Sequence, residues 1–231
     1  MIYNVLQGGL KSKDNPSLFE AAYEFWYSSW SQFFKEQDPQ FNLSPNEFFR
    51  QDAIGVLSNN SQIVGVHLYS EFDLSLSVTQ NHEYLSHNFT HQYFSKIKEL
   101  KISNVMTFEG LMISPKFRKS FTGISLAPVL VALSYQYLLF NSHIQAMIAP
   151  ARSDNGVAQL GKASGCEIID ELVLHGTPVA LILGRRENIH LNFLKANEQA
   201  LVLHLFNNFI TKNIIKRRQD ENSVRIRIKS A

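Results

Sequence analysis

The sequence predicts a mixed α/β fold of the α+β kind, a mostly antiparallel central sheet of about seven strands flanked by helices. Three observations carry this expectation. Short runs of β-branched and aromatic residues alternate with longer stretches whose apolar residues recur at helical spacing. Two pairs of strand-like runs are each joined by four turn-forming residues, Ser58-Asn59-Asn60-Ser61 and His175-Gly176-Thr177-Pro178, which reads as two hairpins. A strand ending at Pro115 leads through a loop of cations and small residues into the apolar run 124–140, which reads as a buried helix.

At 231 residues, 45% hydrophobic and 18% charged, the chain has the composition of an ordinary globular protein with room for one substantial core. It shows no repeat, low-complexity segment or linker, so one domain spanning 1–231 is the simplest count. The net charge of +2 points to neither a nucleic-acid nor a membrane partner, but seven basic residues against Asp220 and Glu221 make the segment 212–229 a basic tail. Cys166 is the single cysteine and the N-terminus lacks the pattern of a signal peptide, so a reducing, cytoplasmic setting is expected. The stretch 121–151 carries no Asp, Glu, Lys or Arg; Ser125, Pro128, Ser134, Tyr135 and Gln136 interrupt it, and a buried helix is expected there instead of a membrane span.

In chain order, residues 2–7 form a strand closed by Gly8-Gly9. From Pro16, Leu18, Ala21, Ala22, Phe25, Trp26, Trp30 and Phe33 make a helix with an aromatic face that serves core packing or lines an apolar pocket. Asp38-Pro39 ends it, and Ser44-Pro45-Asn46-Glu47 caps a short helix ending near Arg50. The first hairpin follows. Residues 80–101 read as one polar helical segment on which His87 and His91 share a face; with no second cluster of ligands, no metal is expected. A strand over 105–113, the loop, the buried helix, a strand over 144–149, a helix from Asn155 to about Ser164 and the second hairpin complete the core. A helix over 197–216 with an apolar stripe of Leu201, Leu205, Phe209 and Ile210 precedes the alternating segment 223–229, read as a strand with a basic face.

The loop Arg118-Lys119-Ser120-Phe121-Thr122-Gly123 is the chemical centre of this reading. Free backbone N–H groups and a helix dipole favour an anion at such a place, with Lys116, Arg118 and Lys119 adding positive charge.

The order of elements, and the segment Ile113-Ser-Pro115-Lys-Phe-Arg118-Lys-Ser-Phe121-Thr-Gly123, resemble the GNAT acyltransferase superfamily, whose loop reads Arg/Gln-x-x-Gly-x-Gly/Ala after a strand ending in hydrophobic-x-Pro. Asn155-x-x-Ala158-x-Leu160 up to Gly165 is similar to a second family segment. The resemblance covers about 53–185, leaving 186–231 as an extension. Two positions depart from it: Phe121 stands where the family has its first loop Gly, and Gly161 about where many members carry a Tyr that protonates the leaving thiolate.

The resemblance implies an N-acyltransferase that moves an acyl group, most simply acetyl from acetyl-CoA or another acyl-CoA, to a small-molecule amine. It implies a diphosphate cradle from Arg118 to Gly123, pantetheine contacts from Leu111, Ile113 and Asn155, a general base in Glu109, and an oxyanion donor in the N–H of Leu111 or Met112. Two alternatives stay open: a long-chain N-acyl amino acid or acyl-homoserine lactone synthase-like enzyme fed by acyl carrier protein, and a GNAT-like module without catalysis. The C-terminal extension is also a candidate homodimer surface.

Overall fold

The structure is a computed structural model that describes residues 1–10, 15–60, 62–118 and 123–229, with 214–229 described by their backbone alone. Among the described residues nine strands form two sheets. In the first, β1 (Ile2–Gln7), β2 (Ala53–Asn59), β3 (Gln62–Tyr69) and β6 (Glu109–Ile113) pair antiparallel in that spatial order. In the second the order is β4 (Glu71–Asp73), β5 (Asn104–Thr107), β7 (Ala146–Arg152), β9 (Thr177–Arg185), β8 (Glu167–Leu174), and β5 with β7 is the parallel pair. The mixed, mostly antiparallel class is as expected; the strand count is nine instead of about seven.

One additional strand is the short β4; the other has a physical cause. The run 105–113 is two strands, because Phe108 donates its N–H to Ile148 O at 3.0 Å while Glu109 already pairs with Leu68 of β3. The chain therefore leaves one sheet for the other within a single residue. Between Leu68↔Glu109 and Val66↔Met112, β6 carries an extra residue, a bulge that Gly110 makes with φ +57°. A Cβ at Gly110 would stand 2.8 Å from Trp26 Nε1, so glycine meets both a conformational and a steric demand.

Helix α1 (Pro16–Gln37) starts with Asn15 accepting from Leu18 N–H at 3.2 Å, has Pro16 in its first turn and ends at Asp38. Its buried face, Phe19, Ala22 and Trp26, packs with Phe48 of α2 (Asn46–Phe49) against Ile54, Val56, Val66 and Leu68 of the first sheet. The segment expected as one helix over 80–101 is a 3₁₀ turn and two helices, α3 (Glu83–Asn88) and α4 (His91–Glu99). Thr90 caps α4 by accepting from Tyr93 N–H, so His87 and His91 lie on different helices and the shared face is lost.

Helix α5 (Leu126–Phe140) is buried nearly all round, which explains its lack of charge. Beneath it Leu57, Val64 and Tyr3 meet it from the first sheet; beyond it lies α7 (Ala196–Lys229), whose Val202, Leu205, Phe206 and Phe209 join the same cluster. The apolar stripe expected there thus packs within the molecule. The guanidinium of Arg186 donates to the carbonyls of Leu138, Leu139 and Asn141 and satisfies the end of α5. The strand expected over 223–229 is not formed: α7 runs through it. Alternation makes a strand only where a neighbouring edge supplies partners, whereas a helix meets its own backbone needs. No helix among the described residues is long and apolar enough to cross a membrane.

Candidate active site

Where the two sheets part, β6 belongs to one and β7 to the other, and a cavity of about 960 Å³ opens between them. Glu109 to Ile113 line one wall and Ala149 to Arg152 the other; α6 (Val157–Ala163) and the start of α5 contribute Val157, Gly161, Ser125 and Leu126, and the aromatic face of α1 covers it with Trp26, Trp30, Phe33 and Phe34. Ser114 N–H and Met112 O turn toward β3, so the N–H and C=O of Ile113, at the opposite ends of the same peptide planes, point away from β3 on the cavity side.

Glu109 stands at the vertex, with its side chain 8% exposed. Its carboxylate accepts from Arg50 through both Nη1 and Nη2, from Gln51 Nε2 at 3.2 Å and from the Thr107 hydroxyl. Burial pushes this carboxyl above the usual range, against the pull of Arg50, Thr107 and Gln51. Burial also opposes the charge on Arg50, but the Glu109 and Glu47 carboxylates overcome it, so the guanidinium is held more firmly protonated than a free arginine. Arg50 lies over the Tyr84 ring, 4.1 Å from its centroid, and the Tyr84 hydroxyl is buried without a hydrogen-bond partner among the described residues. Tyr84 and Glu47 both line the cavity.

Of the residues expected to form the site, Glu109, Leu111, Ile113, Arg118 and Asn155 are brought together around this one cavity. Arg118 folds back on β6, donating from Nε to Ile113 O at 3.1 Å. Asn155 accepts from Val157 N–H at 3.2 Å and so also supports the start of α6. Gly123 has φ +80°, and a Cβ added there would meet nothing within 4 Å, so conformation alone calls for glycine. Lys119, Ser120, Phe121 and Thr122 lie outside the described residues. At Gly161 a Cβ would come within 2.9 Å of Ile182 Cδ1, so α6 presses on β9 too closely for a tyrosine in this packing.

The start of α5 holds a group that local sequence patterns did not reveal. Glu198, 2% exposed, accepts from Ser125 N–H at 3.2 Å with one carboxylate oxygen. A protein carboxylate thus already sits at the helix end expected to attract phosphate. Arg50, Gln51 and Tyr84 were missed for a similar reason: Arg50 is 59 positions from Glu109, and nothing local couples them. Thr107, two residues before Glu109, had the one readable signal, since residues two apart share a strand face.

Neither a family model nor a curated protein sequence matches the chain. Solved structures do. FeeM, an N-acyl amino acid synthase from uncultured soil microbes, aligns over 80% of this chain and 90% of its own with a TM-score of 0.52 at 9% identity. The AHL synthase LasI aligns over 79% and 89% with a TM-score of 0.51 at 13% identity. TofI in its apo form gives 80%, 91%, 0.51 and 10% by the same measures. The fold is that of the GNAT acyltransferases. In this GNAT fold the opening between β6 and β7 is lined by Ile113, Pro115, Arg118 and Asn155, four of the residues on which the family resemblance rests. At these identities the likeness speaks for the architecture; the chemistry has to be argued from the side chains.

Proposed function

We propose that the chain is an N-acyltransferase that passes an acyl group from a thioester to an amine in the cavity between β6 and β7. The observation that carries this reading is the buried Glu109 carboxylate at the vertex of the opening, beside cavity-facing backbone groups of β6. Glu109 takes a proton from the acceptor ammonium, the neutral nitrogen attacks the thioester carbonyl carbon, the N–C bond forms and the C–S bond breaks, and the sulfur leaves as a thiol with a proton. The oxyanion that develops on the carbonyl is held by the Leu111 N–H. Arg50, Thr107 and Gln51 hold the carboxylate in place.

Acetyl-CoA is the simplest donor, yet the cavity favours a longer acyl group. Its volume lies near the upper end of the roughly 300–1,000 Å³ usual for ligand pockets, and its cover is aromatic. That two proteins of this architecture are an N-acyl amino acid synthase and an AHL synthase supports the same choice. The Glu198 carboxylate beside Ser125 disfavours a diphosphate there, which supports a carrier-bound donor over CoA. The test is thiol release from acyl-CoA and acyl carrier protein thioesters of graded length with a panel of amines. Turnover that falls about 10²–10⁴-fold in Glu109→Gln is expected. No turnover by the wild type with any donor and amine overturns the reading.

A further inference from the structure

We propose that Phe34, Phe41 and His175 form a removable end wall that sets the longest acyl chain the cavity admits. This rests on the acyl-chain reading above and names the residues that limit it. The cavity's aromatic lining is continuous from the bulge outward. Trp30 donates from Nε1 to Gly110 O at 3.3 Å, its ring centroid is 5.4 Å from that of Phe34, and Phe34 is 4.4 Å from Phe41. His175 closes the series, its ring edge-on to both Phe34 and Phe41 at 5.3 Å. Beyond these three rings is a second, smaller hollow of about 290 Å³, also lined by Gln37, Asp38 and Gly176. All three rings border both spaces, so they are the partition between them.

The partition joins the two halves of the fold across the cavity. Phe34 belongs to α1, packed on the first sheet, whereas His175 is in the turn between β8 and β9 of the second. A parallel contact, the Arg152 guanidinium 4.4 Å from the Phe33 ring centroid, ties the end of β7 to the same helix. His175 occupies its turn at φ +48°, a conformation in which glycine or asparagine is the cheaper choice. The ring's place against two phenylalanines is what a glycine there would forfeit.

Two ring steps of 5.4 and 5.3 Å separate Trp30 from His175 by way of Phe34. An extended chain covers about 3.5 Å per three bonds, so at most about nine bonds span the stretch from Trp30 to the wall. The occupant is therefore a medium-length acyl chain.

Trp26 and Trp30, the protein's two tryptophans, both line the cavity, so intrinsic fluorescence reads occupancy without turnover. The full chain is titrated with straight-chain fatty acids of four to sixteen carbons (~4–16) as probes, alongside Phe41→Ala and His175→Gly. The second variant removes the ring while relaxing the turn, and so guards against a folding defect. Expected is a wild-type affinity that rises with length and then drops at a cut-off, with the cut-off displaced to longer chains in both variants. A cut-off that is the same in all three proteins overturns the wall alone. Absence of binding at every length overturns the wall together with the acyl-chain reading.

Discussion

The Glu198 carboxylate joins two helix starts: one oxygen accepts from Ser125 N–H at 3.2 Å, before α5, and the other from Lys195 N–H at 3.0 Å, before α7. The second bond is the returning half of a capping box, and the first extends the same device to a neighbouring helix. Replacing Glu198 by Ala leaves two N–H groups without this acceptor. The expected loss is about 1–3 kcal/mol by chemical denaturation, with Glu198→Gln losing less. Unchanged stability in the Ala variant would show that the pairing contributes nothing.

At Gly110 the demand is for a left-handed backbone and for space. Gly110→Ala is expected to cost at least about 1–2 kcal/mol from conformation, with more from the approach to Trp26 Nε1 and Leu68. Thermal denaturation measures the first, and a shift in tryptophan emission reports the second. Both should move together with a fall in acyl-transfer rate, because the bulge lies next to Leu111 in the cavity wall.

The acid limb of the pH–rate profile should belong to Glu109. Burial raises its pKa, so the basic form is gained only above the ordinary glutamate range near 4.3, and kcat/KM should rise with pH through that higher value and then level. Stability carries the opposite sign: the folded state binds this proton more tightly, so the contribution is present at low pH and lost as pH rises through the raised value. A rate limb at the ordinary carboxylate pKa, or one kept in Glu109→Gln, would take Glu109 out of the proton transfer.

His67 lies fully buried between Tyr3 and Tyr69, whose hydroxyls are 3.0 and 3.1 Å from its Nε2. Burial lowers its pKa to about 3. The unfolded chain protonates near 6.5, so the stability tied to neutral His67 is complete above that value and is lost progressively as pH falls toward the folded pKa, by about 1.4 kcal/mol per unit. Equilibrium unfolding between pH 7 and 4 should therefore show a steep acid loss that is flatter in His67→Gln. Parallel curves would place the acid sensitivity elsewhere.

Local chemistry accounts for what could be read in one dimension. Asn15 and Pro16 announce the start of α1, the uncharged run announces α5, and the hairpin residues announce both antiparallel pairs. Glu109, Leu111, Ile113, Arg118 and Asn155 were readable as a group because they fall on or beside the strand and helix starts that the motif spans. The split of 105–113 was not readable, because Phe108 and Glu109 are told apart only by which neighbour, Ile148 or Leu68, each one meets.

What the sequence by itself determined is the kind of element at most places and the class of fold, because caps, turns and hydrophobic spacing act over a few residues. It also marked the strand and loop around which the cavity forms. The tertiary structure alone decided how that cavity is charged and closed: Arg50 beside Glu109, Glu198 at Ser125, His175 against Phe34 and Phe41. Each is a contact between distant parts of the chain, where packing and burial select partners that no local pattern encodes.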